Sequence, residues 1–136
     1  MLNTATLIGY LGRDPSERIG DRPLTFQMAT SERVKDKTTG ETREFTEWHN
    51  VVIFEPGLVE VAEKYLRKGS KVYVEGRMAT RSYEDRDGIK RTVTEVVLRF
   101  PRARLVLLER REGDRPPAAA SEDGYGAMPE TDHQYA

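Results

Sequence analysis

The chain has 136 residues, a third of them charged, with 22 Lys and Arg against 23 Asp and Glu for a formal net charge of -1. That length suits one domain with a single core, the absence of cysteine excludes a disulfide framework and thiolate metal sites, and no apolar run approaches the roughly 18 residues of a membrane span. The near-neutral total conceals a division, because residues 1–111 hold 21 cations against 17 acids, a net of +4, while residues 112–136 hold one Arg against six acids, a net of -5.

The opening stretch Met1 to Gly9 has no basic segment ahead of its apolar residues, so a soluble cytoplasmic protein without membrane association is expected. Thr4 to Leu11 reads as a strand that ends at Gly12-Arg13-Asp14-Pro15. Leu24, Phe26 and Met28 alternate with Thr25, Gln27 and Ala29, the period-two pattern of a second strand with an apolar face. The polar stretch Lys35 to Glu41 then reads as a long hairpin loop.

The next strand is the most informative. In Thr46-Glu47-Trp48-His49-Asn50-Val51-Val52-Ile53-Phe54, alternation puts Trp48, Asn50, Val52 and Phe54 on one face and Val51 and Ile53 on the other. The aliphatic face can serve a core. The opposite face carries two large aromatics, one the sole Trp of the chain, and such flat surfaces can stack on nucleic-acid bases. Packing is the commoner task of a strand aromatic, and periodicity leaves both readings open.

Leu58, Val61, Ala62, Tyr65 and Leu66 follow the spacing of one helical face, with Pro56 near the start, Arg67 and Lys68 in the last turn and Gly69 as the stop. Val72 and Val74 open a strand that continues to Tyr83 and turns at Asp85-Arg86-Asp87-Gly88. A final strand region runs from about Arg91 to Leu98, extended by Ala103, Leu105 and Leu107. After that the apolar pattern stops. The expected organisation is a domain over residues 1–110 and a disordered acidic tail over 111–136, rich in Pro, Ala and Gly.

Several blocks agree, in order and spacing, with a known pattern: Gly12-Arg13-Asp14-Pro15, Ala29-Thr30-Ser31-Glu32, the Trp48 strand, Tyr65 to Gly76, and Thr80-Arg81-Ser82-Tyr83 leading to Thr94-Glu95-Val96-Val97. From about residue 1 to about 108 the chain resembles the bacterial-type single-stranded DNA-binding protein family. The resemblance implies an all-β OB-fold with one short helix, a five-stranded Greek-key barrel whose open face binds single strands. It also implies sequence-nonspecific coating and protection of single-stranded DNA in replication, recombination and repair, a homotetramer, a nucleoid-associated location, and no cofactor.

Carried onto this sequence, the resemblance makes Trp48, Phe54 and Tyr83 the stacking residues, with Tyr83 where many members carry a tryptophan. Val34 stands where well-studied members have a tryptophan, which implies one stacking platform fewer. The cations Arg33, Lys35, Lys37, Arg67, Lys68 and Arg81 fall in regions along the path of the strand and are candidate phosphate contacts. His49 matches a histidine at a subunit contact. With no other histidine but His133 and no cysteine, a metal site is not expected. The end of the sequence, Pro129 to Ala136, lacks the Pro-Phe pair with which family members contact replication and repair partners. The alternative is an OB-fold adaptor of replication or restart machinery acting mainly through protein contacts. A hydrolase is disfavoured by the absence of a phosphate-cradling glycine loop or a nucleophile motif.

Overall fold

The computed structural model describes residues 1–16 and 22–108; the predicted tail lies outside them. Six strands and one helix follow in the order β1 (Ala5–Leu11), β2 (Leu24–Lys35), β3 (Thr42–Ile53), α1 (Pro56–Tyr65), β4 (Lys71–Glu84), β5 (Lys90–Leu98) and β6 (Arg104–Leu108). Neighbouring strands run β1-β2-β3-β5-β4, and β1 pairs again with β4, closing a five-stranded barrel. β3 and β5 are parallel, from Asn50 opposite Glu95 to Ile53 opposite Leu98, and the other pairings are antiparallel. The expected final strand is two strands in one lane: β5 lies along Arg77 to Glu84 of β4 and β6 along Lys71 to Glu75, with a turn between them where Arg102 N–H donates to Arg99 O at 3.0 Å.

The period-two pattern becomes a core because alternate residues of each strand turn inward. Phe26, Met28, Val51, Ile53, Val72, Val74, Val96 and Leu98 form one buried cluster with Leu11 and Leu24. At Gly9 a Cβ would sit 2.2 Å from the carbonyl oxygen of Ala29, so β1 crosses β2 at a distance no side chain permits.

Helix α1 plugs this core through Val59 and Ala62, joined by Leu66 just past its end, all essentially buried. That face is rotated from the expected one, and Tyr65 stands 54% exposed. The helix ends at Tyr65, because Leu66 takes an extended backbone while its N–H still reaches Ala62 O. Arg67 and Lys68 therefore lie beyond the last turn.

The β2–β3 hairpin is longer than the sequence suggested: both strands continue to Lys35 and Thr42. Asp36 explains the short tip. Its carboxylate accepts from Thr38 N–H, its carbonyl from Gly40 N–H, and its own N–H donates to Glu41 O, each at 2.8 Å. The same logic closes β4 on β5, where Asp85 accepts from the Asp87 and Ile89 N–H groups and Gly88 takes a left-handed φ of 75°.

Candidate nucleic-acid interface

Register fixes which residues share the outer face of the barrel. Ala29 is opposite Trp48 and Gln27 opposite Asn50; Asn50 is opposite Glu95 and Val52 opposite Val97; Glu95 is opposite Ala79, Val93 opposite Arg81 and Arg91 opposite Tyr83. Trp48 and Tyr83 thus belong to one side of β2-β3-β5-β4, and Phe54, the residue after β3, continues that side where its N–H donates to Leu98 O at 2.9 Å. The three aromatics read from the sequence share this side, each half-buried.

A polar row underlies these rings. Gln27 Nε2 donates to Asn50 Oδ1 at 2.9 Å, and Arg81 Nε donates to Glu95 Oε1 at 2.9 Å. Burial makes the second contact consequential, since the Arg81 and Glu95 side chains are 8% and 2% exposed. The Arg81 guanidinium also lies 5.7 Å from the centre of the Tyr83 ring. This ion pair gives Arg81 a partner within the sheet.

The other predicted cations separate into two places. Arg33, opposite Glu44, and Lys35, opposite Thr42, continue the Trp48 side out along the β2–β3 arm, and Lys37 stands at its tip. Arg67 instead turns back on the helix, where Nη1 donates to Leu66 O at 2.7 Å and Glu63 O at 3.1 Å, offsetting the negative end of the helix dipole. Lys68 is exposed beside it, and its backbone N–H is held by Asp14 Oδ1 at 2.7 Å.

His49 lies on the inner-facing register with Met28 and Val51, away from Trp48. Its Nε2 is 2.8 Å from Thr30 Oγ1. Burial pushes the imidazole below the ordinary value of 6.5, with Glu47 pulling weakly the other way. Thr30 follows the point where β1 and β2 part, after Tyr10 opposite Ala29.

Arg99 was not foreseen. Its guanidinium stacks 4.1 Å from the centre of the Phe54 ring, brought there because Phe54 N–H donates to Leu98 O at 2.9 Å and aligns the ends of β3 and β5. Only the parallel β3–β5 register, which no local pattern announces, would have paired them. Among the described residues no cluster of three or more His, Asp or Glu could hold a metal ion, and no helix is long and apolar enough to cross a membrane.

Residues 2–104 match the model of the single-strand binding protein family. The chain is 41% identical over 133 residues to a single-stranded DNA-binding protein of Rickettsia prowazekii, covering 96% of this chain and 87% of that one. It is 45% identical over 116 residues to a single-stranded DNA-binding protein of Rickettsia conorii, covering 83% and 76% respectively. Among solved structures it is similar to a Plasmodium falciparum SSB complex with ssDNA, at 36% identity and a TM-score of 0.72, covering 80% of this chain and 97% of the other.

Proposed function

Because this chain belongs to the single-strand binding protein family, we propose that it is a sequence-nonspecific single-stranded DNA-binding protein that coats and protects exposed strands during replication, recombination and repair. The observation that carries this reading is the gathering of Trp48, Phe54 and Tyr83 on one barrel face. Rings of this kind stack on any base, since every base has a flat π surface, and the arm cations Arg33, Lys35 and Lys37 accompany the phosphates. The buried polar row keeps the sheet beneath the rings rigid. Binding of this kind needs no cofactor and no catalysis, and its site of action is the cytoplasm, at the nucleoid.

The protein acts as a homotetramer, with His49 at a subunit contact. Among the described residues Ala5 to Tyr10 pair with β4 while β1 pairs with β2 only through Tyr10 and Leu11, so the edge of Ala5 to Gly9 that faces away from β4 is offered to a second copy. Ile8, Tyr73 and Val106 lie in one row across β1, β4 and β6, and Ile8 and Val106 are 53% and 40% exposed. Such a patch suits a sheet-to-sheet contact. Measuring the mass of the protein with and without long oligothymidylate tests both parts. A four-chain mass that gains bound strand is expected; a monomer mass would overturn the assembly, and failure to take up the strand would overturn the function.

A further inference from the structure

Beyond the Ala29–Trp48 pair, the arm formed by residues 30–35 and 42–47 carries one aromatic residue, Phe45, and it stands 55% exposed. Register puts Phe45 opposite Glu32, and one row nearer the tip Arg43 opposite Val34, which is 45% exposed. These two rows share a side of the arm, opposite to the side of Arg33 and Lys35. Phe45 and Val34 are diagonal neighbours, within the reach of an aromatic side chain.

We infer that Phe45 is a further base-stacking platform, on which a base of the bound strand lies while Arg43 holds the adjoining phosphate. This rests on the strand-binding reading above. The surroundings favour a base over a second copy of the chain. On the arm, Phe45 and Val34 are the apolar members of a ribbon face that also holds Glu32, Arg43, Glu47 and Thr30 before it reaches His49 at its base, and two apolar side chains beyond His49 are too little for a stable contact between proteins, which buries on the order of 1,000 Å² or more. One base needs no more than one ring. Glu32 fixes the direction, since its carboxylate repels phosphate and leaves the backbone to pass on the Arg43 side.

The test uses the full chain and oligothymidylate. The intact protein is titrated first: if it does not bind, the strand-binding reading fails and this inference falls with it. Given binding, Phe45→Ala is expected to lower affinity by about 5- to 150-fold, the range of one lost base stack, with the unfolding midpoint and the assembly mass unchanged. A second variant, Phe45→Trp in a Trp48→Phe background, places the sole Trp on the arm, and its fluorescence is expected to be quenched by the strand. Undiminished affinity in Phe45→Ala, an unquenched Trp at position 45, or a fall in assembly mass would each overturn the inference.

Discussion

Replacing Arg81 by Ala removes the cation that neutralises Glu95 in a place where water cannot substitute for it. The two side chains are 8% and 2% exposed and joined at 2.9 Å, so truncating one partner strands a buried charge. Such breaks cost about 3–5 kcal/mol, whereas replacing both partners by apolar residues of similar volume is often neutral. Urea unfolding with a slope of about 2 kcal/mol per molar should therefore show the midpoint of Arg81→Ala falling by about 2 M, and the pair Arg81→Met with Glu95→Leu recovering most of it. The same double variant separates this structural task from phosphate binding. A cation that neutralises one phosphate adds about 0.7 to the slope of log affinity against log salt, and the double variant should keep the wild-type slope. Wild-type stability in Arg81→Ala, together with a salt slope smaller by about 0.7, would instead make Arg81 a strand contact.

Trp48→Ala and Phe54→Ala should each weaken strand binding by about 1–3 kcal/mol and cost less stability than the 3–5 kcal/mol typical of a core aromatic; calorimetric titration beside thermal unfolding checks both, and a core-sized loss of stability would assign the ring to packing. His49 contributes pH dependence of a defined sign. Its folded value lies below 6.5, so the stability it provides is fully present above 6.5 and is lost as pH falls from there through the lower folded value. Urea midpoints between pH 7.5 and 5.5 should drop more for the wild type than for His49→Gln, and equal slopes would contradict the burial argument. His49→Glu should reduce the assembly to smaller species whose barrel remains folded, read by mass at low micromolar protein.

The strand of Trp48 was legible because a period of two states which residues share a face, and the barrel then kept Val51 and Ile53 inside and Trp48 outside. The closure of that barrel came from resemblance, since pairing between β1 and β4, some 65 residues apart, leaves no local trace. The helix face was misassigned because apolar residues at 58, 59, 61, 62, 65 and 66 make a stripe wide enough for two orientations; contact with the barrel end selected Val59, Ala62 and Leu66. Charge was harder still. Arg81 reads as surface until β5 brings Glu95 to it, and Arg67 reads as part of the last helical turn until the helix ends at Tyr65 and leaves carbonyls for it to cap. Phe45 went unremarked because it looked like a lone apolar residue near a loop, whereas Asp36 closes the tip so tightly that Phe45 is held within a paired strand.

The most direct test of strand binding uses the chain's own probe, since Trp48 is its sole Trp and stands on the face assigned to bases. Titrating the protein at moderate salt with oligothymidylate, and separately with duplex DNA, while following Trp fluorescence reports affinity and stacking together. Saturable quenching by the single strand, weakened as salt rises, is expected, with duplex bound far more weakly. Equal affinity for the two, or binding that leaves Trp48 fluorescence unchanged, would contradict this.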